Sequence, residues 1–156
     1  MKAISISVKE TLKIGSRLGR HLQRGDVVCL SGQLGSGKTV LAKGIASSLG
    51  IKKDEVVSPT FILLREYPRA RIPLYHFDFY RLASACDILG LGYEEYFYGE
   101  GITVIEWPDR LQHLLPADYL EVSLSILGPS RRRLDFKAEG KRYRGFLKDF
   151  HEDIRS

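Results

Sequence analysis

Val27-Val28-Cys29-Leu30-Ser31-Gly32-Gln33-Leu34-Gly35-Ser36-Gly37-Lys38-Thr39 is the stretch that decides the fold. Val27 to Ser31 extends the short apolar run that begins near Asp26, the pattern of a strand covered on both faces. Gly32 to Thr39 then fits G-x-x-x-x-G-K-[ST] at every fixed position. The segment from about Lys38 to Leu49, closed by Gly50, reads as a helix. Strand, glycine loop and helix in that order make a phosphate cradle. The glycines admit torsions that a Cβ forbids, so successive N–H groups can turn inward. Those groups and the positive end of the helix meet phosphate oxygens. Lys38 reaches the β- and γ-phosphates of ATP, and the Thr39 hydroxyl coordinates Mg²⁺. The nucleotide-binding set from this stretch is Leu34, Gly35, Ser36, Gly37, Lys38, Thr39 and Val40.

Outward from the loop, Ala3 to Val8 alternates as a strand and Thr11 to Gln23 has helical spacing. Phe61 to Tyr67 and Leu74 to Tyr80 read as an antiparallel pair joined by a polar segment. Ala83 to Phe97 reads as one or two short helices broken at Gly90 and Gly92. Ile102 to Ile105 is a buried strand. A short helix over Asp109 to Leu115 starts at Pro108 and stops at Pro116. Tyr119 to Leu127 and Arg132 to Ala138 form a second hairpin around Gly128-Pro129. Lys141 to Ile154 places Tyr143, Phe146, Phe150 and Ile154 on one helical face. The expected fold class is α/β, a P-loop NTPase-like three-layer sandwich around a mixed parallel and antiparallel sheet.

The 156 residues suit one domain, with residues 141–156 as a basic terminal helix. A chain of this length buries about two-thirds of its extended surface, enough to fold without disulfide or metal staples. No apolar run approaches the ~20 residues that cross a bilayer, and the first ten residues lack a signal-peptide core. A cytoplasmic location is therefore expected. Cys29 and Cys86 match no metal or redox spacing, and Cys29 reads as a small buried hydrophobe. A net charge of +5 is compatible with a nucleic-acid or acidic-protein partner, or with a solvated basic surface.

A P-loop needs a carboxylate near its Mg²⁺, usually at the tip of an apolar strand. Glu106 ends Ile102-Thr103-Val104-Ile105 and is the favoured metal-linked acid. Asp78 lies among aromatics on the same strand face as His76 and Tyr80. It either holds water near Mg²⁺ or pairs with Arg81. His76 is more often a hydrogen-bonded packing residue than a catalyst and receives no role. Thr60 stands where a switch threonine can meet Mg²⁺ and the γ-phosphate. Trp107 follows Glu106 directly and would face the nucleotide or a partner. The expected catalytic residues are Lys38, Asp78 and Glu106.

Three kinds of P-loop protein compete. A GTPase needs an N-K-x-D segment after the loop, and the sequence has none. A small-molecule kinase needs an arginine-rich lid, for which Arg131 to Arg133 are the only run, though a hairpin suits them better. The third kind is an ATPase that acts on a partner protein. Ser58-Pro59-Thr60-Phe61, His76-Phe77-Asp78-Phe79-Tyr80-Arg81-Leu82 and Ile105-Glu106-Trp107-Pro108-Asp109, in that order after the glycine loop, resemble the TsaE (YjeE) family. The resemblance covers roughly residues 8 to 120. It implies a cytoplasmic protein that binds and slowly hydrolyses ATP with Mg²⁺. It also implies assembly with TsaB and TsaD, which transfer threonylcarbamoyl to the tRNA adenosine beside the anticodon. By position, Glu106 matches the family's metal-linked glutamate, Asp78 and Trp107 match functionally important positions, and Thr11 matches a threonine near the nucleotide. Gln33, Ser36 and Val40 depart from the family's usual Asp, Ala and Thr, none at a fixed cradle position. A small-molecule kinase and a nucleotide-binding adaptor without hydrolysis are the alternatives.

Overall fold

The computed structural model describes residues 1–156. The chain order is β1 (Lys2–Ser5), α1 (Val8–His21), β2 (Val27–Ser31), α2 (Lys38–Ser48), β3 (Leu64–Tyr67) and β4 (Leu74–Asp78). It continues with α3 (Cys86–Leu89), α4 (Tyr93–Phe97), β5 (Ile102–Glu106), a 3₁₀ segment (Pro108–Leu114), β6 (Tyr119–Ile126), β7 (Arg132–Glu139) and α5 (Arg142–Arg155). The strands build one seven-stranded sheet in the order β1-β7-β6-β2-β5-β4-β3. Pairs β6/β2, β2/β5 and β5/β4 are parallel, and the outer pairs are antiparallel. The mixed sheet between two helical layers is the expected sandwich.

Residues of β2 alternate between the layers. Val28 and Leu30 join a core with α1, α2 and α5, while Val27 and Cys29 face α3, α4 and the 3₁₀ segment. Cys29 is fully buried, and burial pushes its thiol well above the usual range. On the long-helix side, Ile14, Leu18, Leu41 and Ile45 pack with Tyr143, Phe146 and Phe150. Helices α1 and α2 meet backbone to backbone. A Cβ on Gly44 would lie 2.9 Å from Gly15 Cα, and the Leu12 carbonyl is nearer still. No helix is long and apolar enough to cross a membrane.

Several expected boundaries move for local reasons. Strand β1 stops at Ser5 rather than Val8, because Ser7 caps α1. Its hydroxyl accepts from Glu10 N at 3.1 Å, and the Glu10 carboxylate accepts from Ile6 N at 2.7 Å. Strand β3 starts at Leu64 rather than Phe61. Leu63 has φ +67, and its N–H bonds back to Pro59 O at 2.7 Å, so Phe61 and Ile62 lie in a turn. Strand β4 ends at Asp78, short of Tyr80. The segment after Pro108 is a 3₁₀ helix kinked at Gln112.

Candidate nucleotide-binding site

The parallel strands β2, β5 and β4 end side by side. Leu30 pairs in register with Glu106, and Glu106 with Asp78. The glycine loop leaves the tip of β2 and turns into α2, so both acids stand beside the start of that helix. Ligands of open α/β sheets bind at this carboxyl edge of the strands. A cavity of about 430 Å³ opens there. Leu34, Gly35, Gly37, Lys38, Thr39, Val40, Ser58, Thr60, Asp78, Tyr80, Glu106 and Trp107 line it.

Two glycines are required by the loop's shape. Gly32 has φ +142, and a Cβ there would stand 2.5 Å from Leu124 O. Gly37, at φ +104, begins α2 without a side-chain cap, which leaves the helix's first N–H groups facing the cavity. Ser36 is fully buried beneath the loop. Lys38 is 4% exposed and donates to the Gly32 carbonyl and, at 3.0 Å, to the Gln33 carbonyl. Its ammonium also lies 4.3 Å from the Trp107 ring centroid. Burial lowers the Lys38 pKa, and Glu106, Asp78 and Asp109 oppose that shift.

Thr39 Oγ1 donates to Glu106 at 3.0 Å (Oε1) and 3.2 Å (Oε2). His76 Nε2 lies 2.8 Å from the same Oε1. Of the two roles open to Asp78, pairing with Arg81 is not what the fold makes. Asp78 Oδ2 accepts from Ser58 Oγ at 2.7 Å and Thr60 Oγ1 at 2.8 Å, and Oδ1 accepts from Tyr80 N at 2.9 Å. Arg81 instead stacks on Phe61, 4.2 Å from the ring centroid. Asp78 thus fastens the Ser58–Thr60 segment over the cleft, and Thr60 reaches the cleft through it. Trp107 adopts the left-handed conformation at φ +60 and packs against Tyr80, with ring centroids 5.0 Å apart and planes tilted by 47°. This turn brings the indole back over the loop.

Thr11 is not in the main cavity. It is 3% exposed, bonded to Ser5 Oγ at 2.7 Å, and lines a neighbouring cavity of about 150 Å³. That cavity shares Gly35, Gly37 and Val40 with the first and is closed by Ser7, Pro129 and Arg132. Arg132 escaped the sequence reading. Its guanidinium donates to Ser36 O at 3.1 Å, Gly35 O at 3.3 Å and Gly128 O at 2.9 Å. It clamps the glycine loop from β7, so the arginine run supplies a brace rather than a lid. The only sequence signal was the run Arg131-Arg132-Arg133, and nothing in it distinguishes the middle residue.

The donor set suits a hard cation held jointly with phosphate. Thr39 and Glu106 offer oxygen ligands at the mouth of the loop, as Mg²⁺ prefers. No three His, Cys, Asp or Glu side chains are grouped to hold a metal by themselves. A cation here would therefore depend on the phosphates for its remaining ligands.

This sheet, glycine loop and strand-tip acid define a P-loop NTPase-like protein. The family model described as "Threonylcarbamoyl adenosine biosynthesis protein TsaE" matches residues 5–134, and the chain belongs to that family. A Treponema pallidum relative named tRNA threonylcarbamoyladenosine biosynthesis protein TsaE is 43% identical over 134 residues, covering 86% of this chain and 98% of the relative. A Bacillus subtilis relative of the same name is 36% identical over 156 residues, covering 99% of this chain and 97% of the relative. The crystal structure of Bacillus subtilis YdiB superposes with a TM-score of 0.84 at 32% identity, covering 99% of this chain and 95% of that one.

Proposed function

We propose that this chain binds ATP with Mg²⁺ in the cleft, hydrolyses it slowly, and supports threonylcarbamoyladenosine formation on tRNA together with TsaB and TsaD in the cytoplasm. The observation that carries the reading is the placement of Lys38, Thr39 and Glu106 around one loop mouth. Lys38 supplies a charge for the β- and γ-phosphates, and α2 supplies its N-terminal N–H groups. Thr39 and Glu106 hold Mg²⁺, which would neutralise charge on the phosphate oxygens. The neighbouring cavity, with Thr11 and Arg132, accommodates the nucleoside end. No arginine lines the cleft, which accords with slow turnover by the isolated chain.

The Ser58–Phe61 segment provides the link to partners. Asp78 holds it by two hydroxyls, and both Thr60 and Asp78 line the cleft. Phe61 at its end and Ile62 just after it are 81% and 60% exposed. ATP orders this segment and the Glu106-Trp107 tip for docking, and hydrolysis loosens them. Such a switch requires that the partner distinguish ATP from ADP.

The test is capture of TsaB and TsaD by this protein with ATP, ADP or neither, alongside phosphate release. Capture that depends on ATP, with free phosphate as product, supports the reading. Equal capture in all three conditions sinks the switch, and phosphate transferred to a metabolite would make the protein a small-molecule kinase.

A further inference from the structure

His76 takes no part in the reading above, yet it sits at its centre. It lies two residues before Asp78 on β4, is 1% exposed, and stands behind Glu106 rather than in the cleft lining. Its Nε2 is 2.8 Å from Glu106 Oε1, the carboxylate that also accepts the Thr39 hydroxyl. An ionised carboxylate only accepts, so the imidazole proton belongs on Nε2. Nδ1 then points into the protein as an acceptor, and it is the one buried side-chain nitrogen or oxygen with no hydrogen-bond partner.

That orphan separates two explanations for the ring. Packing alone is met better by leucine, which fills similar space and leaves no desolvated nitrogen. A half-satisfied imidazole in a core is instead tolerated where one of its bonds has a use. The bond it makes is to the strand-tip acid beside the phosphate loop. Metal-site carboxylates are commonly oriented by such outer partners.

We infer that His76 is a positioning residue: its Nε2–H fixes the Glu106 carboxylate in the orientation that meets Thr39, and so sets the cation affinity of the site. The inference rests on the reading of Glu106 as the metal-linked acid. His76 does not line the cleft, and its one side-chain hydrogen bond is to Glu106.

The experiment uses the full chain with His76→Leu, His76→Gln and Glu106→Ala. Glutamine places an N–H donor about where imidazole Nε2 stands, and leucine removes it. Mn²⁺ binding to the complex with a non-hydrolysable ATP analogue is read by electron paramagnetic resonance. ADP binding without metal is read by calorimetry. In metal-free protein, ¹⁵N NMR of the imidazole reports which nitrogen carries the proton. His76→Leu is expected to weaken Mn²⁺ about tenfold or more, and His76→Gln to restore it to within about threefold of wild type. Metal-free ADP affinity stays level in both variants, which shows the fold intact, and the proton of wild-type His76 resides on Nε2. Wild-type Mn²⁺ affinity in His76→Leu, a glutamine variant as weak as leucine, or a wild-type Nε2 that carries no proton each overturns the inference. Unchanged Mn²⁺ affinity in Glu106→Ala overturns the metal assignment beneath it.

Discussion

Gly44→Ala tests how the phosphate helix is held in place. Helix α2 begins with Lys38 and Thr39, and its position is set where Gly44 meets Gly15 of α1. The new methyl would sit 2.9 Å from Gly15 Cα and closer to the Leu12 carbonyl, and both obstacles are backbone. Neither can rotate aside, so the helices must part. Overpacking of this kind costs about 1–3 kcal/mol, and two backbone obstacles place it near the upper end. Replacing a helical glycine by alanine returns about 1 kcal/mol of propensity. The net expectation is a loss of about 2 kcal/mol, or roughly 4–8 °C in melting temperature for a chain this long. Gly145 in α5 is the control, because a Cβ there meets nothing within 4 Å. Gly145→Ala should gain about 0.5–1 kcal/mol. Urea denaturation of both variants, with nucleotide affinity measured alongside, gives the answer. Equal stabilisation by the two substitutions would refute the close crossing. Loss of stability at Gly44 without weaker nucleotide binding would refute its link to the loop.

Lys38→Ala should weaken ATP by about one to two orders of magnitude, the value of a lost charge-assisted bond. It should also change the emission of Trp107, the sole tryptophan, before any nucleotide is added, since the ammonium lies over its ring. Unaltered emission in the variant would contradict that contact. Arg132→Ala removes the brace on the Gly35 and Ser36 carbonyls and should cost about tenfold in ATP affinity by calorimetry, with the melting temperature lowered only slightly. Tyr143→Phe should destabilise by about 1–3 kcal/mol, because the phenol accepts from Val27 N and donates to buried Asp26. Burial first, and Asp26 second, hold the Tyr143 proton above its ordinary range. The folded state therefore keeps a proton that the unfolded state loses near pH 10, and this stabilisation is whole below that pH and fades above it. The stability gap between wild type and Tyr143→Phe should accordingly narrow above about pH 10, as followed by urea melts.

The glycine loop was legible because its chemistry is local. The fixed positions Gly32, Gly37, Lys38 and Thr39 fall within eight consecutive residues, and Glu106 was legible as the polar end of an apolar strand. Residues whose partners lie far along the chain were not. Asp78 has Ser58 and Thr60 as partners because β4 ends beside the segment before β3, and sequence proximity offers only Arg81 as a candidate for pairing. His76 and Glu106 meet only through the β4/β5 register. Thr11 was carried to the nucleotide by resemblance, and the fold puts it on a neighbouring wall reached from the far side of the loop. Phe61 looked like a strand residue by pattern, but Leu63 turns the backbone left-handed and leaves the aromatic ring outside the sheet.

Strand β1 finds its only neighbour in β7. The same meeting brings Ser7 and Thr11 against Pro129 and Arg132. A ribosome makes β1 long before β7, so an emerging chain carries the glycine-loop sequence while Pro129 and Arg132, which wall and brace it, are still untranslated. At ~5–20 residues per second the interval between the two strands is on the order of ten seconds. During that time β1 has an unsatisfied edge, and pairing it must wait for a long loop closure that slows folding. The last strand to be translated is thus the one that completes the sheet and sets Arg132 against the Gly35 and Ser36 carbonyls, so the glycine loop gains its brace only when synthesis is nearly done.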